Sequence, residues 1–143
     1  MDDEPYTEQT KKSDGRLVTK YKHKTVTVLP AGVKREQYPD GYFIIYFENG
    51  DIRQKYPDGR IVYLFKEAEV TQTELGDGER ILLFKNSQLE KHKTDGSKEI
   101  YFSDGSRKII SPKGVEEIFR VWLFRTPCLF IHSIVNLVYY TQN

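Results

Sequence analysis

The sequence predicts an all-β fold, an antiparallel meander of short strands joined by Gly/Asn/Asp hairpin turns. Three observations carry this expectation. The only alanines are Ala31 and Ala68, while aromatic residues make up 13%, with 10 Tyr and 8 Phe. That composition disfavours helix and suits strands. Turn signals recur on a nine-residue grid at Gly32, Gly41, Gly50 and Gly59, and again at Gly96, Gly105 and Gly114. Between them lie short segments rich in β-branched and aromatic residues.

Each turn has a mechanism. Tyr38-Pro39-Asp40-Gly41, Phe47-Glu48-Asn49-Gly50 and Tyr56-Pro57-Asp58-Gly59 share one wording, and Thr94-Asp95-Gly96 and Ser103-Asp104-Gly105 follow it. Pro presets φ, Asp or Asn bonds its own backbone, and Gly accepts the positive φ that closes a hairpin. Gly78 stands one residue off the grid, and Lys85-Asn86-Ser87 keeps the rhythm without a glycine.

The strands expected between the turns are Lys24–Leu29, Tyr42–Glu48, Asp51–Tyr56, Arg60–Lys66, Glu79–Lys85, Gln88–Lys93, Lys98–Phe102 and Arg107–Ile110. Glu116 and Glu117 fall on a further strand and point to opposite faces. Connections this short exclude parallel pairing, whose crossovers need a dozen or more residues.

Turn length decides which residues share a face. A three-residue loop sets Phe47 against Asp51, and a two-residue loop sets it against Ile52. A one-residue slip flips only the middle strand. In both registers Phe43, Ile45 and Phe47 share a face with Ile61, Tyr63 and Phe65. The turn wording favours the three-residue loop with a left-handed Gly. Arg53 and Lys55 then lie between the two apolar rows. The other face carries Tyr42, Ile44, Tyr46, Ile52, Tyr56, Val62 and Leu64. Pattern alone leaves two readings: a sandwich or rolled sheet whose aromatics are core, which it favours, or a single sheet with aromatic patches for partners. The segment Gln88–Lys93 is more polar, with one large aliphatic side chain.

Function classes fall away in turn. Lys+Arg of 22 against Asp+Glu of 21 leaves a net charge of +1, without the basic excess of a dedicated nucleic-acid binder. His23, His92 and His132 lack metal-ligand spacing, and His92, between Lys91 and Lys93, is expected on a solvated face. The Asp-Gly pairs read as turns, since calcium loops need further acidic ligands. No nucleophile elbow or phosphate-binding loop is present. Neither catalysis nor a cofactor or metal is expected. The single cysteine, Cys128, excludes an internal disulfide and fits a reducing compartment.

Three regions are expected. Residues 1–23 read as a disordered lead-in, residues 24–119 as the repetitive β domain, and residues 120–143 as an apolar tail outside the repeat. The tail approaches a membrane span in length, but Arg125, Pro127, His132 and Asn136 interrupt it, and a central Arg costs roughly 2.5–3.5 kcal/mol on insertion scales. It reads instead as a terminal segment from a frame that left the repeat, as in an alternative transcript. A tail-anchored membrane protein is the minor alternative.

Residues Thr25–Phe119 resemble the T-complex protein ten C-terminal domain family, the G-box of centrosomal scaffold proteins such as CPAP. The resemblance rests on Tyr46-Phe47-Glu48-Asn49-Gly50-Asp51-Ile52, on Tyr56-Pro57-Asp58-Gly59-Arg60-Ile61-Val62-Tyr63, and on Gln88-Leu89-Glu90-Lys91-His92 with the Asp-Gly turns after it. It implies one elongated, free-standing sheet with solvent on both faces. It also implies a non-catalytic module that binds a proline-rich segment of a STIL-type partner in centriole duplication, at the centrosome. The contact residues it implies are Phe47 and Tyr63, with Glu90 linked to the same function. Phe43, Ile45 and Phe65 share their face and complete the candidate site. Gly41, Gly50, Gly59, Gly96 and Gly105 are the structural turns. The resemblance leaves two roles open for Glu90: contact with the peptide, or bracing a cross-strand lysine. The family repeat runs on where Phe119 is here followed by Arg-Val-Trp, so a shorter sheet is expected. Self-association through the two sheet edges is a second reading of function.

Overall fold

The computed structural model describes residues 5–120. Thirteen strands and no helix occur among them. Every pairing within each unit is antiparallel and joins strands consecutive in sequence, so the expected all-β meander is what the chain forms. The described residues divide into two compact units, with the boundary after Gly76. No helix of the described residues is long and apolar enough to cross a membrane. The tail expected over 120–143 lies, beyond Arg120, outside the described residues.

The first unit holds β1 (Glu8–Lys11), β2 (Leu17–Lys20), β3 (Thr25–Val28), β4 (Lys34–Gln37), β5 (Phe43–Tyr46), β6 (Ile52–Lys55), β7 (Ile61–Phe65) and β8 (Val70–Glu74). The second holds β9 (Arg80–Leu83), β10 (Leu89–His92), β11 (Lys98–Tyr101), β12 (Arg107–Ile110) and β13 (Glu116–Phe119).

The turns follow the mechanism read from the sequence. The Gly50 N–H donates to the Phe47 carbonyl at 3.0 Å, and the Phe47 N–H donates to the Asp51 carbonyl at 2.9 Å. This is the three-residue loop. Asn49 Oδ1 accepts the Asp51 N–H at 3.0 Å, as Asp40 does for Tyr42 and Asp58 for Arg60. Gly41, Gly50, Gly59, Gly96 and Gly105 all have φ between +85° and +91°. In the Asn86 turn the same left-handed position falls on Ser87, at φ +64°. The grid slips before Gly78 because Phe65 pairs with Val70 across a four-residue loop, one longer than the three-residue loops of the grid.

Three differences from the sequence reading stand out. Residues 1–23, expected to be disordered, contain β1 and β2. They are polar, but in a single sheet a strand is held by its backbone ladder and needs little apolar burial. Their turn, Asp14-Gly15, is also the common wording, with Asp14 Oδ1 accepting the Arg16 N–H at 3.1 Å. It escaped the grid because Tyr21 and Lys24 close a shorter, two-residue loop at Lys22-His23. The segments forming β4 (Lys-Arg-Glu-Gln) and β8 (Val-Thr-Gln-Thr-Glu) were also missed, again because they are polar.

In the first unit the buried residues all lie on one face. Thr19, Val26, Glu36, Ile44, Val62 and Thr73 are buried, and the register places them in one row across the strands, with Gln54 between Ile44 and Val62. Neighbours along each strand shield this central row. Glu36 is tolerated there because Lys34 Nζ lies 2.7 Å away, Lys24 Nζ 3.4 Å and the Tyr38 hydroxyl 3.1 Å. Burial pushes its carboxyl up, but the two lysines and Tyr38 outweigh that and leave it below the ordinary glutamate value.

In the second unit Ile81 and Leu89 are buried. They occupy adjacent rows of one face, Ile81 opposite Lys91 and Leu89 opposite Leu83.

Candidate functional site

The face opposite the buried row carries the predicted site residues. The register sets Phe43 opposite Lys55, Ile45 opposite Arg53, and Phe47 opposite Asp51. The next strand sets Lys55 opposite Ile61 and Arg53 opposite Tyr63. Phe43, Ile45, Phe47, Tyr63 and Phe65 thus share one face, with Arg53 and Lys55 between the two apolar rows. None of the five is buried. The reading that pattern alone favoured, with these aromatics as core, is therefore overturned. Among the described residues of the first unit, a single layer, nothing packs against this face, and the core of that unit lies on the other side.

The rings form a connected patch. Phe47 and Tyr63 stack at 5.8 Å between centroids with 25° between planes. Tyr63 and Phe65 lie 4.3 Å apart, tilted by 30°. Strands β5 and β7 are separated by β6, so the first pair spans a strand. That is possible because Asp51, between Phe47 and Phe65 in the register, is small and is drawn to the turns. Its Oδ1 accepts the Lys66 N–H at 2.9 Å and its Oδ2 accepts from Asn49 Nδ2 at 2.9 Å. The Tyr63 hydroxyl reaches the same carboxylate at 3.5 Å. Partial burial raises the Tyr63 hydroxyl above its ordinary value, Asp51 adds to this, and Arg53 opposes it.

At the other end of the patch two guanidinium groups flank one ring. Arg35 Cζ lies 4.6 Å and Arg53 Cζ 6.0 Å from the Phe43 centroid. Cation–π contact of this kind fixes a planar donor beside an apolar surface. Arg35 Nε is buried without a hydrogen-bond partner. Arg35 escaped the sequence reading because its strand was not recognised. Its signal was present in the register, since Arg35 stands opposite Ile45.

Glu90 lies in the second unit, on β10. Its Oε1 accepts from Gln88 Nε2 at 3.0 Å, and its Oε2 lies 2.8 Å from His92 Nε2. Both partners lie two residues away along the chain, where side chains share a face. His92, expected on an open solvated face, is instead engaged with Glu90 and is only 19% exposed. No cluster of three or more His, Cys, Asp or Glu suited to a metal occurs among the described residues.

The family model for the T-complex protein 10 C-terminus matches residues 76–110. The chain is similar to the TCP10 domain of Danio rerio CPAP, solved in complex with a peptide of Danio rerio STIL. The two are 35% identical with a TM-score of 0.66, over 80% of this chain and 59% of that one. It is also similar to the TCP domain of Drosophila melanogaster SAS-4, solved in complex with a proline rich motif of Ana2. There the identity is 28% and the TM-score 0.62, over 78% of this chain and 70% of that one. A CPAP G-box domain shares the fold at 21% identity and a TM-score of 0.63, over 80% of each chain. No curated protein matches the sequence. The chain thus spans 59% of the Danio rerio structure it resembles.

Proposed function

Since the chain belongs to the T-complex protein 10 C-terminal domain family, we propose that it is a non-catalytic recognition module for a proline-rich peptide of STIL type, acting in centriole assembly at the centrosome. The peptide lies on the face of Phe43, Ile45, Phe47, Tyr63 and Phe65. The observation that carries this reading is the half-exposed ring patch of Phe47, Tyr63 and Phe65 on a face that supplies no buried core.

The chemistry suits such a ligand. A proline-rich segment is already extended, so binding orders it at low entropic cost. Flat rings take proline rings, and Arg35, Arg53 and Lys55 offer donors to its carbonyls and acidic side chains. Glu90, in the second unit, is held by Gln88 and His92, with both carboxylate oxygens engaged. The solved relatives with bound STIL and Ana2 peptides support the assignment.

The test is a fluorescence anisotropy titration with a proline-rich STIL peptide. Phe47→Ala/Tyr63→Ala is expected to weaken binding by tenfold or more while the circular dichroism spectrum stays that of the parent. Undiminished binding by the folded double variant overturns the assignment of this face.

A further inference from the structure

On the opposite face of the first unit, next to the buried row, a second row crosses six strand ends. Its members are Tyr21, Lys24, Tyr38, Tyr42, Tyr56 and Arg60. Turn hydrogen bonds pair Tyr21 with Lys24, Tyr38 with Tyr42 and Tyr56 with Arg60. The flanking registers bring Lys24 beside Tyr38 and Tyr42 beside Tyr56. The Tyr38 and Tyr42 rings are 5.3 Å apart, and Tyr42 and Tyr56 5.1 Å. Lys24 Nζ lies 5.7 Å from the Tyr21 centroid, and Arg60 Cζ 4.9 Å from that of Tyr56. The Tyr38 hydroxyl is tied to Glu36 and the Tyr42 hydroxyl to Gln54. Those two rings are therefore held in place before any ligand arrives.

The row opens at one end into a cavity of about 320 Å³, lined by Tyr21, Lys22, His23, Lys24, Tyr38 and Pro39, with no acidic residue in its wall. Lys22 and His23 are exposed at the tip of the two-residue turn. No described ion pair engages either of them. Lys24 is already committed to Glu36. The cavity therefore presents the Lys22 ammonium and the His23 ring nitrogens beside a ladder of rings.

We propose that this row is a second docking track, for an extended proline-containing peptide bearing acidic side chains. Two ring-to-ring steps of 5.3 and 5.1 Å match about one turn of a polyproline II helix, three residues at roughly 3.1 Å each. A peptide running across the strands sets successive turns on Tyr38 and Tyr56, with Tyr42 beneath the residues between them. Its carboxylates then reach Lys22 and His23. This track is independent of the Phe47 face.

The experiment uses the whole chain and two labelled synthetic peptides. Each has a Pro-Pro-Ala repeat, flanked at both ends by aspartates in one and by lysines in the other. At low salt the aspartate peptide is expected to bind saturably and at least tenfold more tightly than the lysine peptide. Lys22→Glu/His23→Glu, which changes only exposed turn side chains, is expected to abolish that preference. Phe47→Ala/Tyr63→Ala is expected to leave it intact. Equal affinity for the two peptides, absence of saturable binding, or a preference removed by the Phe47→Ala/Tyr63→Ala pair alone overturns the proposal.

Discussion

The rings of Phe47 and Tyr63 stack at 5.8 Å although a third strand runs between the two that carry them. Contact across a strand requires the intervening position to yield space. Asp51 does so by turning its carboxylate to the backbone of Lys66 and the side chain of Asn49. The patch is thus built from a stacked pair and a turn that keeps its middle clear.

The two faces of the first unit should respond differently to truncation. Tyr63→Ala removes one half-exposed ring and is expected to lower stability by about 1 kcal/mol, with a large effect on peptide binding. Val62→Ala, at the most buried position, 1% exposed, is expected to cost about 2 kcal/mol and leave binding by the surviving folded protein unchanged. Urea denaturation and peptide titration of the two variants separate these outcomes. Tyr63→Phe keeps the ring and is expected to bind like the parent.

Gly50 is a position where glycine is required. Its φ is +85°, and a Cβ there would stand 2.5 Å from Lys66 Cδ. Gly50→Ala is expected to destabilise by about 1–2 kcal/mol through the left-handed backbone. Lys66 is flexible and can withdraw, so adding Lys66→Ala should restore little of the loss. The midpoint of urea unfolding reads both.

Ser87 poses the converse case. It holds φ +64° where the equivalent turns place Gly. Ser87→Gly relieves the left-handed strain, about 1–2 kcal/mol, against a smaller entropic loss from a freer unfolded chain. The expected net effect is stabilisation by about 0.5–1 kcal/mol, read as a higher melting temperature. A lower one would show that the serine backbone is unstrained.

Glu36 links stability to acid. Its folded-state pKa lies below the ordinary value, so the unfolded chain takes up the proton first as pH falls. The stabilisation is present above the ordinary glutamate range and is lost as pH drops from about 4.5 through the lowered folded value. Glu36→Gln is expected to be less stable at neutral pH and to show a flatter stability profile between pH 5 and 3. An unchanged slope in acid denaturation would remove Glu36 from the account.

Much of this protein was determined by local chemistry. Asp40, Asn49 and Asp58 make the same short-range bond to the residue two ahead, and a positive-φ glycine follows each. Both effects act within four residues, so turn type, register and the shared face of Phe43, Ile45, Phe47, Tyr63 and Phe65 were legible before any fold was known. Strands such as Lys34–Gln37 were not legible. Their apolar content is low, and they exist because neighbouring backbones offer a ladder to complete. Which face is core was likewise undecided, since both carry aromatic and aliphatic side chains. Only the tertiary arrangement settled it, by lining up Val26, Ile44 and Val62 from distant segments in one shielded row. The same alignment left the Phe47 ring patch half open, because burial on a single layer depends on neighbours from other strands and not on the hydrophobicity of any one residue.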